Sequence, residues 1–336
     1  MQSESDASRE LPPLLYLDAA DVVACMPPIE ERLGLAERTM RALVGKAQLP
    51  PKIGVSPRPA DSFAHAMPAH LRDQRPEGDL LGMKWVLGYP TNNALGVAAI
   101  HGVVLLNDPA TGVPVGILDG SPITAQRTAA ITGLAIRHWG PAVSGRAPVA
   151  AIVGTGTQAL SHLAVLAHVM PGLDLVIFAR RPERGEAFAA IARLEPGIGS
   201  VTIAGSARDA VAGADVVVTA ASFGPIRQVL TNDWLSPTAT VVPVDYATYV
   251  AAEVARSVGL FLVDERDQFL ANRDAGLFED YPEPSATIGE ALIAGTPRPA
   301  GRVLVTHLGV GLADVVFADA ILRAATATGR GIVLPR

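Results

Sequence analysis

The sequence predicts an α/β protein in which a doubly wound parallel sheet forms the second part of the chain. From about Ala147, near-continuous apolar runs alternate with helical patterns, and this alternation is typical of parallel sheets covered by helices on both faces. The first run, PVAAIV, leads through a glycine-containing turn into an apolar helical stretch. The chain has 336 residues, 49% of them hydrophobic, which is enough for two domains with a core each.

The part before this sheet follows a mixed pattern. Apolar residues at spacings of three and four, such as Leu33, Ala36 and Met40, predict a helix from Pro28 to about Ala47. Short strands are predicted next, and an uninterrupted helical run that ends before Gly140 and Pro141 follows them. The strands are expected at 63–68, 82–87, 99–106 and 113–118, and the long helix at 124–139.

The alternating part predicts strands near 148–153, 173–179, 201–205, 214–221, 239–245 and 260–265, and helices near 158–170, 183–194 and 206–212. A final helix, 311–326, is expected to return to the first domain. We therefore expect a discontinuous α+β domain of residues 1–125 plus 305–336 and a nucleotide-binding domain of residues 126–304. Residues 1–11 are expected to be a loose tail, and the Pro/Gly-rich stretch 295–301 a second hinge.

Composition excludes several classes of protein. With 27 Lys plus Arg against 33 Asp plus Glu, the net charge is −6, so the basic patches that nucleic-acid binding needs are not expected. Cys25 is the only cysteine, which excludes an intrachain disulfide and a multi-cysteine metal site and fits a reducing compartment. The polar start carries no secretory signal, and no clean run of about 18 apolar residues exists. A cytoplasmic protein without a membrane partner is therefore expected.

The turn after PVAAIV has the form G-x-G-x-x-A. It comprises Gly154, Thr155, Gly156, Thr157, Gln158 and Ala159. The first glycine permits a tight turn, the second lets backbone N–H groups approach a pyrophosphate, and the alanine allows close helix–strand packing. With a strand before it and a helix after it, this pattern predicts a dinucleotide site. The alternative is a glycine-rich turn in an α/β fold that binds no nucleotide.

The end of the second strand indicates which dinucleotide is bound. NAD-binding proteins usually place an acid there for the ribose 2′-hydroxyl, but this strand ends in Ala179, Arg180 and Arg181. A guanidinium matches a 2′-phosphate, so NADP(H) is favoured over NAD(H). The alternative is an ordinary exposed arginine pair in a chain with only three lysines.

Ionisable residues within apolar segments are the other candidate site residues. Lys84 lies in the apolar strand GMKWV, Arg127 begins an apolar helix, and Lys52 follows two prolines. Burying a cation is costly unless it meets an anion, and a substrate carboxylate or an internal ion pair would both serve. Asp245 follows the strand VVPV, at the edge where α/β sites lie. It is a candidate general acid or base, with helix capping as the alternative.

Several motifs, in order, give the chain a resemblance to the ornithine cyclodeaminase/mu-crystallin family over roughly residues 15–330. They are MPA at 67–69, GMKWV at 82–86, TGxP at 111–114, LDG at 118–120, ITAQRTAA at 123–130, GTGTQA, Asp245 after its strand and LGVGLADVVFA at 308–318. The resemblance implies a homodimer whose subunits each have a substrate-binding and dimerisation domain and a Rossmann NAD(P)-binding domain.

The resemblance also implies roles for single residues. Lys84 and Arg127 match the family's carboxylate-binding lysine and arginine, Asp245 matches its catalytic aspartate, and Thr128 is expected among the cofactor-binding residues. Lys52 falls where the family usually has a third, arginine, carboxylate ligand, so this chain departs from the pattern there.

A second departure bears on the substrate. Ornithine cyclodeaminase itself has a glutamate two residues before the Met of its MP motif, and this chain has His65 there. An imidazole has no reason to attract a distal ammonium, although a structural role for His65 is the alternative. We therefore expect NAD(P)H-dependent reduction of an imino or ketimine acid, or the reverse oxidation of an amino acid, with Asp245 and Lys84 as catalytic residues. A cyclodeaminase-type lyase stays open. So does a non-catalytic accessory subunit of an amine oxidase, because the PPKIGV, FAHAMPA and GMKW segments resemble those of tyramine oxidase accessory proteins.

Overall fold

A computed structural model describes residues 11–221, 228–246 and 249–336, and its chain divides into two compact units. Gln48–Pro122 and Asp314–Arg336, with the residues up to Met26, form the first unit, and Pro27–Ala47 with Ile123–Ala313 forms the second. The predicted tail, 1–11, lies outside the described residues except for Leu11. Within the described ranges, no helix combines the length and apolar character needed to span a membrane.

The described residues contain sixteen strands and ten α-helices. The strands are β1 (Leu14–Leu17), β2 (Ala47–Gln48), β3 (Ile53–Val55), β4 (Phe63–Leu71), β5 (Leu80–Gly88), β6 (Ile100–Asn107), β7 (Pro114–Asp119), β8 (Val149–Val153), β9 (Leu173–Phe178), β10 (Ile198–Ile203), β11 (Val216–Thr219), β12 (Thr240–Pro243), β13 (Leu260–Val263), β14 (Ala286–Thr287), β15 (Val303–Thr306) and β16 (Ile332–Leu334). The helices are α1 (Ala19–Ala24), α2 (Ile29–Leu43), α3 (Gly120–Trp139), α4 (Thr157–Val169), α5 (Pro182–Ala192), α6 (Ala207–Val211), α7 (Ala252–Ser257), α8 (Arg266–Asp274), α9 (Ile288–Ala294) and α10 (Gly311–Thr328).

The first sheet is mixed and runs in the order β16-β1-β7-β6-β5-β4-β2, with β3 also paired to β4. Strands β4 to β7 are antiparallel neighbours, whereas β1 is parallel to β7. Alternate residues of β5 are buried, from Gly82 through Lys84 to Gly88, which is the period expected when one face of a strand is covered. That period directs Lys84 into the interior.

The second sheet has parallel pairings between all its neighbouring strands and runs in the order β10-β9-β8-β11-β12-β15-β13-β14. Both of its faces are buried: Ala151 and Val153 belong to one hydrophobic cluster, and Ala150 and Ile152 belong to another. The chain leaves β8 toward β9 and β10 and then returns to β11 on the other side. The strand order therefore reverses between β8 and β11, where ligands bind in doubly wound folds. The predicted fold class is confirmed.

The structure differs from the predicted boundaries in identifiable places. Residues 27–47 belong to the second unit, because α2 packs against α9 so closely that a Cβ atom on Gly289 would overlap the carbonyl oxygen of Met40. The helix expected to reach Ala47 ends at Leu43, because Ala47 already belongs to β2. Strand β15, which was not predicted from the sequence, lies between β12 and β13. A boundary at 304/305 would cut this strand, and the second crossing between units falls at Asp314 instead of in the stretch 295–301.

Candidate functional site

The turn between β8 and α4 has the backbone conformation that a dinucleotide loop needs. Gly154 has a φ of 113°, a conformation that side chains disfavour. A Cβ atom there would overlap the carbonyl oxygen of Ala220, the residue after β11. Only glycine therefore fits at this point, where the first and fourth strands of the second unit meet.

The start of α4 is suited to an anion. Gly156 is the N-cap residue; because a glycine has no side chain, it cannot itself cap the first N–H groups, and open space surrounds its Cβ position. The first N–H groups of a helix carry partial positive charge and lack intrahelical partners. Together with the glycine turn, they fit a pyrophosphate. Thr155 is half-buried and Thr157 is exposed beside them, and Gln158 is half-buried in the first turn.

The end of β9 presents two exposed arginines. Ala179 is half-buried, and Arg180 and Arg181 are exposed; Arg181 is also the N-cap residue of α5 and makes no side-chain capping bond. Arg180 opposes the upward shift of the pKa of Tyr249. The structure thus places two exposed guanidinium groups at the end of β9.

Asp245 is a buried carboxyl group beyond the end of β12, with 2% of its surface exposed. Its Oδ1 accepts a hydrogen bond from Thr219 Oγ1 at 2.9 Å, and its Oδ2 accepts one from Ala221 N, also at 2.9 Å. Burial raises the pKa of Asp245 to about 7, although these two hydrogen bonds act to lower it. A carboxyl group with this pKa exchanges protons readily near neutral pH.

The surroundings of Asp245 also include two tyrosines. Burial and the Asp245 charge raise the pKa values of both Tyr249 and Tyr281. Tyr281 donates its hydroxyl proton to the carbonyl oxygen of Val250 at 2.8 Å. Tyr281 is therefore held as a neutral hydrogen-bond donor, and Asp245 is the group with a pKa near neutrality in this part of the second unit.

Arg127 lies in α3 with 5% of its surface exposed. Its guanidinium lies against Gly309, where an added Cβ would be 2.5 Å from Nη2. Gly309 has a φ of 83°, and its N–H group donates to Asp264 Oδ2 at 2.7 Å. This hydrogen bond fixes the loop after β15 to Asp264, at the point where the loop lies against Arg127. Thr128, expected among the cofactor-binding residues, donates its hydroxyl proton to the carbonyl oxygen of Thr124 at 2.6 Å.

In the first unit, Lys84 forms a buried ion pair with an aspartate of α10. Lys84 Nζ lies 2.7 Å from Asp314 Oδ2, and the two side chains are 2% and 0% exposed. Lys84 is flanked across the sheet by Met67 on β4 and Val104 on β6. The internal ion pair, one of the two alternatives for this lysine, is therefore present. Asp314 was missed as a site residue, although it lies within the LGVGLADVVFA motif.

Lys52 and His65 are neighbours in the first unit. Both are half-buried, and the imidazole of His65 stacks on the ring of Phe63 with centroids 4.6 Å apart. Gly54, opposite His65 on β3, leaves room for this ring. Burial and the positive charge of Lys52 lower the pKa of His65, so the imidazole is neutral at neutral pH.

The predicted site residues thus fall into two groups, each within one unit. The second unit holds the dinucleotide loop, the arginine pair, Arg127 with Thr128, and Asp245. The first unit holds Lys52, His65 and Lys84. Thr219 and Asp264 were missed, and the signal that could have indicated them is that each ends or directly follows a strand of the parallel sheet.

Fold and site together define a dinucleotide-binding α/β protein with a buried acid at the carboxyl edge of its parallel sheet. The model of the ornithine cyclodeaminase/mu-crystallin family matches residues 18–267. The chain belongs to this family, as the sequence motifs predicted.

Curated relatives and solved structures agree with this membership. The nodulation efficiency protein NfeD of Rhizobium meliloti is 30% identical over 330 residues, which cover 96% of this chain and 98% of that protein. The ketimine reductase mu-crystallin of Mus musculus is 28% identical over 264 residues, covering 77% and 79%. The Thermococcus litoralis Delta(1)-pyrroline-2-carboxylate reductase, solved in complex with NADH and L-proline, is 24% identical with a TM-score of 0.82 and covers 95% of this chain and 100% of its own. This last likeness shows a shared fold.

Proposed function

We propose that this protein is an NAD(P)H-dependent oxidoreductase that reduces the C=N bond of an imino or ketimine acid, or oxidises the corresponding amino acid. The observation that carries the proposal is Asp245, a buried acid with a pKa of about 7 at the same sheet edge as the dinucleotide loop. Relatives named as ketimine reductase and as pyrroline-2-carboxylate reductase support this reaction class.

The proposed chemistry divides between the cofactor and the chain. A reduced nicotinamide cofactor, which the turn from Gly154 to Gln158 and the start of α4 would hold, would supply a hydride to the carbon α to the carboxylate. In the same step Asp245 gives its proton to the substrate nitrogen, so that C=N becomes CH–NH and the acid becomes a carboxylate. Thr219 and Ala221 already donate hydrogen bonds to that carboxylate, so its charge is stabilised as it forms. The reverse oxidation uses the carboxylate as the base.

Positive residues are proposed to hold the substrate carboxylate. Arg127 provides a planar guanidinium suited to two parallel hydrogen bonds, and Lys84 provides an ammonium whose position is set by Asp314. Lys52 is a further candidate ligand. Fixing the carboxylate also fixes the adjacent carbon, and such orientation supplies a large part of the rate of a bimolecular step.

NADP(H) is proposed as the preferred cofactor, because Arg180 and Arg181 are exposed at the end of β9 without an acid at Ala179. Hydrogen bonds to charged groups contribute about 1.5–3 kcal/mol, roughly one to two orders of magnitude in affinity. Fluorescence titration should show tighter binding of NADPH than of NADH, and the double variant Arg180→Ala/Arg181→Ala should lose the difference. Arg184→Ala, an exposed arginine within α5, is the matched control. Equal or tighter NADH binding by the wild type contradicts the preference.

Activity is tested with NADPH and NADH against imino acids formed from 2-oxo acids with ammonia or methylamine, and against cyclic ketimines. Consumption of the reduced cofactor with at least one of them is the expected result. Tight cofactor binding without turnover on any would favour a non-catalytic accessory subunit. Efficient proline formation from ornithine would favour the cyclodeaminase alternative. We also propose a homodimer, as the family resemblance implies, and light scattering on the purified protein measures its mass.

A further inference from the structure

Three buried polar side chains of the second unit are linked to one another by hydrogen bonds. They are Thr132 of α3, His162 of α4 and His307, the residue that follows β15. Their exposed fractions are 0%, 0% and 5%. Thr132 Oγ1 lies 2.9 Å from His162 Nε2 and 3.0 Å from His307 Nε2. None of these three residues takes part in the reaction steps proposed above.

The hydrogen-bond partners determine where each proton lies. His162 Nδ1 is 2.6 Å from the carbonyl oxygen of Gln158, and a carbonyl can only accept, so Nδ1 carries the proton. Burial lowers the pKa of His162 to about 4, which leaves Nε2 as an acceptor. The single hydroxyl proton of Thr132 is therefore donated to His162. Thr132 must then accept from His307, whose Nε2 is the protonated nitrogen.

His307 consequently presents a lone pair at Nδ1. Burial, Arg127 and His162 lower its pKa well below its usual value, so the ring is neutral and its second nitrogen is an acceptor. That nitrogen is buried and has no hydrogen-bond partner among the described residues. A buried acceptor without a donor is unfavourable, and polar groups of this kind in a protein interior call for a ligand or water to satisfy them.

The position of His307 identifies the ligand chemistry. The residue directly follows β15, which pairs with β12, the strand that leads to Asp245. It also precedes by two residues Gly309, against which the guanidinium of Arg127 lies. We propose that His307 Nδ1 accepts a hydrogen bond from an N–H group of the bound reactants, either the carboxamide of the nicotinamide or the nitrogen of the substrate. Thr132 and His162 are then positioning residues that hold the required tautomer. This inference rests on the proposed function.

The test uses variants that each remove the hydrogen bond of only one imidazole nitrogen of His307. In His307→Gln the side-chain amide reaches as far as Nε2 and can still donate to Thr132, but the acceptor at Nδ1 is removed. His307→Asn places a polar atom near Nδ1 and loses the bond to Thr132. His168→Gln, on the exposed end of α4, is the matched control. Thermal unfolding of each variant without cofactor verifies that it is folded.

The first arm measures calorimetric affinities for the reduced cofactor and for its 3-acetylpyridine analogue, which lacks the carboxamide N–H. One neutral hydrogen bond corresponds to about a 2- to 10-fold change in affinity. If the carboxamide is the donor, the preference of the wild type for the natural cofactor should fall by this factor in His307→Gln and be unchanged in His168→Gln. His307→Asn should keep part of the preference.

The second arm measures binding of the product amino acid and of the same carboxylic acid without its α-nitrogen, in the presence of oxidised cofactor. If the substrate nitrogen is the donor, their affinity ratio changes in His307→Gln while the cofactor ratio does not. Unchanged ratios in both arms would overturn the proposal and leave a buried water as the partner of Nδ1. Absence of cofactor binding by the wild type would instead refute the proposed function.

A measurement on the wild type covers the case in which a variant fails to fold. In protein labelled with ¹⁵N-histidine, His307 Nδ1 should show the chemical shift of an unprotonated nitrogen, and that shift should move when the reactants bind. A protonated Nδ1, or a shift unaffected by both cofactor and amino acid, contradicts the inference.

Discussion

Replacing Asp245 by asparagine should abolish turnover and at the same time stabilise the protein. The amide cannot exchange a proton with the substrate nitrogen, and loss of general acid–base catalysis lowers rates by about 100- to 10,000-fold. Both hydrogen bonds of the site can survive: the amide oxygen can accept from Ala221 N, and the amide nitrogen can donate to the hydroxyl of Thr219, which is also an acceptor. Cofactor affinity should change little.

The size of the stabilisation follows from the pKa of Asp245, which burial raises from 3.8 to about 7. Because the folded state holds this proton more tightly, it binds more protons than the unfolded state between about pH 4 and pH 7. The free energy of unfolding of the wild type therefore falls as pH rises through this window. Each pKa unit corresponds to about 1.4 kcal/mol. Relative to the wild type, Asp245→Asn should therefore gain roughly 2 kcal/mol at pH 5 and roughly 4 kcal/mol above pH 7.

Urea unfolding of both proteins at pH 5 to 9, with turnover measured on the same preparations, tests this argument. The matched control is Asp215→Asn. Asp215 is also buried, but hydrogen bonds from Arg146 and Val149 outweigh the effect of burial and lower its pKa. Its replacement should destabilise the protein above pH 4. A difference between Asp245→Asn and the wild type that does not depend on pH would refute the raised pKa. Retention of more than about a tenth of the activity would refute the catalytic role.

Three further predictions concern the other ionisable residues. Lys84→Met should destabilise the protein by about 3–5 kcal/mol, because it removes the cation beside the buried Asp314. If Lys84 also binds substrate, the double variant Lys84→Met/Asp314→Asn should recover stability in urea unfolding without recovering kcat/KM. Gly309→Ala should raise KM for the imino acid in a folded protein, because its Cβ would displace the guanidinium of Arg127. Loss of one hydrogen bond to a charged group corresponds to about tenfold or more, and an unchanged KM would exclude Arg127 as a carboxylate ligand. His65→Glu should increase proline formation from ornithine, measured over pH 6–9, since a carboxylate can pair with the distal ammonium. Efficient proline formation by the wild-type protein would contradict this prediction.

The sequence predicts those features that depend on local order along the chain. The GTGTQA turn was identifiable because strand, glycines and helix are consecutive, and Asp245 because it follows a buried strand at the edge where the carboxyl ends of parallel strands meet. The class of the fold follows from the same alternation. These features depend on short segments, so they can be predicted without knowing how the rest of the chain packs.

Features that depend on tertiary pairing were not predictable. The partner of Lys84 is Asp314, which comes near it only after β5 and α10 pack within the first unit. The Thr132–His162–His307 chain joins two helices and the end of a strand that was itself not identified. Strand β15 was missed because its short apolar run, Val303–Thr306, follows a Pro/Gly-rich stretch and lacks an adjoining helix pattern until Gly311.

Two buried aspartates of the same parallel sheet show why the carboxyl edge is the reactive one. Asp215 lies directly before β11, at the amino edge, and forms a bidentate ion pair with Arg146 at 2.6 and 2.7 Å. It also accepts from the backbone N–H of Val149, the first residue of β8. These contacts all stabilise the charge of the Asp215 carboxylate, which is the arrangement of a structural ion pair.

Asp245, beyond the end of β12, is buried more deeply than Asp215 and receives only neutral donors, a hydroxyl and a backbone N–H. Burial destabilises an ionised carboxylate, and neutral hydrogen bonds offset only part of that cost. The pKa of Asp245 therefore rises to about 7, whereas the pKa of Asp215 falls. A fold under selection for stability alone has no reason to keep such a group, because an asparagine could hydrogen-bond to both Thr219 and Ala221 without carrying a charge. Its presence is explained if a proton must be given up and regained at this edge during each turnover.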